Sequence, residues 1–76
     1  MEQIYVELLH EGTKVFRPIS AIHMRDMIFK IEDYMPEDET WAFLPGEIVE
    51  CGYQKLSGGT CLVAFRSLPL EKKGKE

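Results

Sequence analysis

The sequence predicts an all-β fold, a small barrel or sandwich of five antiparallel strands, and three observations carry that prediction. Apolar and polar residues alternate with a period of two through "QIYVELL" and "KVFRPIS". Turn formers punctuate the chain at Glu11-Gly12, Pro45-Gly46 and Ser57-Gly58-Gly59. The chain has 76 residues, 45% of them hydrophobic, enough for one small core. A domain of this size hides only about 60% of the surface its unfolded chain exposes, so a fold that closes its own sheet edges suits it.

Taken in order, the first strand sets Ile4, Val6 and Leu8 on one face and Tyr5, Glu7 and Leu9 on the other. The second sets Val15, Arg17 and Ile19 against Phe16 and Pro18. Pro18 has no N–H to give to a ladder, so its nitrogen must face an open edge or a bulge. From Ala21 to Tyr34 two periods compete. Met24, Met27, Ile28, Ile31 and Met35 fall at helical spacing behind a possible Ser20 cap, while "MIFKIE" also alternates and "RDM" can serve as a hairpin turn. "WAFL" alternates again, Trp41 and Phe43 against Ala42 and Leu44, and Pro45-Gly46 fits the central positions of a type II turn.

The last hairpin has the clearest pattern. A three-residue loop at Ser57-Gly58-Gly59 places Leu56 opposite Thr60, Tyr53 opposite Val63, Cys51 opposite Phe65 and Val49 opposite Ser67. Its inner face then consists of Val49, Cys51, Tyr53, Cys61, Val63 and Phe65. In that register the two cysteines lie about 13 Å apart along the strands, beyond the roughly 7 Å between Cα atoms that a disulfide spans. Both are expected as reduced thiols, with Cys51 buried against Phe65.

The order "YVELLHEGTKVFRPISA", a short Ile/Phe strand, "PEDETWAFLPGEIVEC" and a closing "LVA" resembles a family of small uncharacterised bacterial proteins with an SH3-like β-barrel fold. The likeness extends to Leu68, implying one domain over residues 1–68 and leaving 69–76 as a charged, disordered tail that contains Lys72, Lys73 and Lys75. It also implies strand-turn-strand over Ala21 to Glu32, although the turn at Arg25-Asp26 lacks the glycine usual in the family, and Phe16 stands where Trp is frequent. The resemblance implies no activity and no site residues.

Composition excludes several functions. Met1-Glu2 opens no signal peptide and no run of eighteen apolar residues spans a membrane, so the expected location is the cytoplasm. There is no C-x-x-C, and His10 and His23 lie 13 residues apart, which argues against zinc. The acidic run lacks the order of a calcium loop. "SGG" precedes a strand, whereas a phosphate cradle opens onto a helix. Glu47 and Glu50, three apart on a strand, point to opposite faces and make no acid–base couple. The sequence therefore reads as a non-enzyme without a cofactor.

Charge supplies the candidate site. Ile31 to Gln54 holds seven acids and no Lys or Arg. Within it Glu37, Asp38 and Glu39 stand between Tyr34 and Trp41, an arrangement suited to a cationic protein or peptide through charge and cation–π contact. Trp41 shares its face with Phe43, which makes it a core residue on the competing reading. Nucleic acid is disfavoured by the acidic third of the chain, the alternative being an RNA-binding basic edge of Arg17, Arg25 and Lys30 with Tyr5 as a stacking surface. A third reading is a structural subunit of a homo-oligomer; the sequence leaves the oligomeric state open.

Overall fold

The computed structural model describes residues 1–69. They form β1 (Glu2–Leu8), β2 (Val15–Arg25), β3 (Ile28–Ile31), β4 (Ile48–Leu56) and β5 (Gly59–Leu68), with no helix among them. The strands follow one another around a closed barrel, an arrangement compatible with the SH3-like fold that the sequence suggests. Apart from Pro69, the expected tail lies outside the described residues.

Strand alternation sets the core. Ile4 and Val6 of β1, Ile19 and Ala21 of β2, Phe29 and Ile31 of β3, and Val49 and Cys51 of β4 point inward and are buried. Trp41 is the largest fully buried side chain. Pro18 lies opposite Tyr5 of β1. Two residues on, the Ser20 N–H turns away from β1 to donate to Asp33 Oδ2 at 2.8 Å. The Pro18 nitrogen faces the same way, along the part of β2 that β3 does not reach, since their pairing begins only at Ala21.

The stretch from Ala21 to Glu32 is strand, turn and strand. Arg25 pairs with Ile28, and Asp26 between them adopts φ 48°. Aspartate here takes the left-handed conformation that glycine adopts freely, and the absent glycine is what made the helical period look credible. The His23 ring packs on Phe29 with centroids 5.1 Å apart and meets the Asp26 carbonyl at 2.7 Å through Nε2, fastening the turn.

Two expectations are corrected. "WAFL" is not a strand: Trp41 makes a single antiparallel bridge to Leu8, flanked by Leu9 N–H to Thr40 O at 2.7 Å and Ala42 N–H to Glu7 O at 2.8 Å. The turn that follows is as expected, with Gly46 at φ 89° and Glu47 N–H donating to Leu44 O at 3.1 Å.

The β4–β5 register is the second correction. Gly59, at φ 130°, already belongs to β5 and pairs with Leu56, leaving a two-residue loop. Tyr53 therefore opposes Leu62, and Cys51 opposes Ala64. A bulge at Phe65, between the pairs Cys51–Ala64 and Glu50–Arg66, restores Val49 opposite Ser67. Ala64 takes the core position expected of Phe65, and Tyr53 and Phe65 are exposed. Both cysteines are free thiols.

Two outcomes are expected. Asp26→Gly should raise unfolding free energy in urea by about 0.5–1 kcal/mol, relief of left-handed strain outweighing the added freedom of the unfolded chain, whereas Asp26→Val should lower it. Burial first, and then the charge of Glu50, pushes the Cys51 thiol up to about 11 from 9.0. The folded state keeps this proton after the unfolded state has lost it, so the associated stability is intact below pH 9 and is lost as pH rises toward 11, on the order of 2 kcal/mol. Urea titrations from pH 8 to pH 11 should show a steeper decline for the wild type than for Cys51→Ala.

Candidate functional site

The five residues of the acidic-aromatic candidate part company in the structure. Trp41 is 1% exposed and belongs to the core. Its Nε1–H donates to Glu39 Oε1 at 2.9 Å, and the other Glu39 oxygen accepts from Arg17 at 2.9 Å. Glu39 thus satisfies a buried indole and anchors its loop to β2. Tyr34, 76% exposed, and the exposed Glu37 and Asp38 are the members left on the surface.

The basic edge divides too. Arg17 lies opposite Val6, an inward position, and is drawn onto Glu39. Lys30 lies opposite Ile22 on the outer face and pairs with Glu32 at 3.5 Å. These two bases do not share a face.

A concavity lies on the outer surface, across the seam where β5 meets β1. Tyr5 and Glu7 alternate with the buried Ile4 and Val6 and point outward, and Phe16 stands opposite Glu7 on the same face. Across the seam Tyr5 pairs with Val63, and Val63 pairs with Gly52, which carries the outer face onto β4. Val63 is buried yet stands apart from the core cluster: it floors an outer groove. A Cβ at Gly52 would come within 3.4 Å of the Phe65 ring, so the missing side chain lets that ring lie over the strand.

The groove has two continuous compartments. One, of about 720 Å³, lies between β1–β2 and the tip of the β4–β5 hairpin and is lined by Tyr5, Lys14, Phe16, Lys55, Leu56 and Cys61, among others. The other, of about 230 Å³, is lined by Ala42, Phe43, Val63 and Phe65. Lys14, Phe16 and Gln54 line both. Hydrogen bonding to the neighbouring Cys61 side chain, and then the charge that thiol can carry, raises the Tyr5 pKa above its ordinary 10.0, with a smaller contribution from burial.

Sequence reading missed this groove because it turned on the Phe65 bulge. The expected register put Val63 and Phe65 inside together. One available signal was Gly52, a glycine within a strand, which marks a bulge or a close approach.

The fold and this surface define a small closed β-barrel with an aromatic groove on its outer face. In comparisons with protein-family models, curated proteins and solved structures, nothing matches the chain. Among the described residues, no group of three or more His, Cys, Asp and Glu is placed to hold a metal ion, and no helix is long and apolar enough to cross a membrane.

Trp41→Ala should cost about 3–5 kcal/mol of stability. Glu39→Ala, which leaves the indole N–H without its partner, should cost about 1–3 kcal/mol, while Glu37→Ser with Asp38→Asn should change the urea midpoint little. A triplet substitution that includes Glu39 therefore perturbs packing as well as charge.

Proposed function

We propose that this protein is a non-enzymatic binding module that holds an extended segment of a protein partner in the outer-face groove. The observation that carries the reading is the gathering of Tyr5, Phe16, Phe43 and Phe65 around the floor residue Val63. Aromatic-lined grooves suit extended peptides because flat rings supply contact area at low entropic cost and need no deep pocket. Phe65 is 58% exposed, and it stands beside Phe43 and Val63 in one lining, a contiguous apolar surface of the kind that marks a contact site.

A second reading keeps Tyr34, Glu37 and Asp38 as a contact for cationic partners. It is favoured by their exposure and by the absence of ion pairs to Glu37 and Asp38 among the described residues.

Two variants separate the readings: Phe16→Ser with Phe65→Ser in the groove, and Glu37→Ser with Asp38→Asn in the loop. Each is checked by thermal melt and used as bait in the native lysate, with captured proteins identified by mass spectrometry. The groove reading expects a partner retained by wild type and loop variant but lost from the groove variant. Loss from the loop variant alone would transfer the function to the acidic loop, and capture of RNA without a protein would overturn both.

A further inference from the structure

The two compartments of the groove differ in character, and their charge identifies a ligand class. The chain carries a formal net charge of −4, yet the groove is bordered by Lys14 and Lys55 against one acid, Glu7. Glu37 and Asp38 line neither compartment. Away from the groove three cations are paired, Arg17 with Glu39 at 2.9 Å, Lys30 with Glu32 at 3.5 Å and Arg66 with Glu50, while Arg25 has no ion pair among the described residues. At the groove, Lys14 pairs with Glu7 at 3.6 Å while 71% of its side chain stays exposed, and Lys55 has no ion pair among the described residues. Both lysines lie at the larger compartment. The smaller one presents Ala42, Phe43, Val63 and Phe65, with the Glu7–Lys14 pair also in its lining.

Resting on the groove reading above, we infer that the partner segment is acidic: an extended peptide with a carboxylate side chain seated between Lys14 and Lys55 and a bulky apolar side chain seated against Phe43 and Phe65. From Cys61 in the first compartment to Phe65 in the second is four residues of β5, about 13 Å. The two ligand side chains are accordingly three to five positions apart. This preference is opposite in sign to the one that the acidic loop suggested. Carboxylates meet ammonium groups at an accessible rim, where charge selects the partner and speeds association while the rings and the apolar side chain supply the retention.

The test is a selection from a random dodecapeptide display library on the folded full chain, followed by fluorescence anisotropy with the synthesised winners. Enriched peptides should carry Asp or Glu three to five positions from Leu, Ile, Phe or Trp. Lys14→Glu with Lys55→Glu should weaken such a peptide about tenfold at low salt, from modest contributions by two rim charges, and less at 0.5 M salt. Lys55→Arg should retain binding, and a repeat selection on the double charge reversal should enrich basic peptides. Thermal melts confirm that each variant is folded. Peptides that need Phe16 and Phe65 but show no acidic preference, or are indifferent to the charge reversal, would overturn this inference and leave the groove reading standing. Winners indifferent to Phe16 and Phe65, or no enrichment at all, would overturn both.

Discussion

A meander of five strands returns to its first strand pointing the same way, and the rest of the molecule answers to that parity. Four neighbouring pairs are antiparallel, and the fifth, β1 with β5, is necessarily parallel. It is held at one register position, Tyr5 with Val63. Parallel pairing normally follows a long crossover; here the two strands come from opposite ends of the chain and meet only briefly. The far end of β1 therefore needs another neighbour, which Thr40 to Ala42 provides through backbone bonds to Glu7 and Leu9. The groove is the outer side of the same seam.

That duty explains why the acidic-aromatic stretch is divided between structure and surface. Once Thr40 and Ala42 are bound to β1, Trp41 between them sits over the barrel interior and becomes the largest side chain of the core. A buried indole requires an acceptor. Glu39, two residues earlier, supplies it, and Arg17 neutralises the carboxylate from β2. The link joins the irregular loop to the sheet at the point where the ladder is thinnest. A residue resembling a recognition acid thereby becomes a structural one, while Glu37 and Asp38, with no such task, remain at the surface.

The bulge at Phe65 has the complementary effect on β5. By adding one residue between Ala64 and Arg66, it turns an aromatic ring outward and lets small Ala64 take the inner place beside Cys51. An interior already holding Trp41, Phe29 and three isoleucines accommodates a methyl group at that position more readily than a third aromatic ring. The displaced ring lies over Gly52, one of the few positions where a strand surface leaves room for it.

The sequence by itself determined the β class, the positions of the two main hairpins, the type II turn at Pro45-Gly46, and the division of β1 and β2 into two faces, because period-two alternation and turn chemistry are local properties. It also carried the choice between Trp41 as core and as surface, through the face shared with Phe43, but left the choice open because local pattern does not reveal what covers a face. Tertiary structure alone decided the rest. Whether Gly59 closes a loop or opens a strand depends on the twist of the completed hairpin, and one residue of slip turns Val63 outward and Ala64 inward, with the bulge leaving Phe65 outside. Whether Glu39 binds a partner or an indole depends on where β2 places Arg17, 22 residues away in the chain. The groove depends on β1 and β5 meeting, a contact between opposite ends of the chain that no short-range spacing encodes.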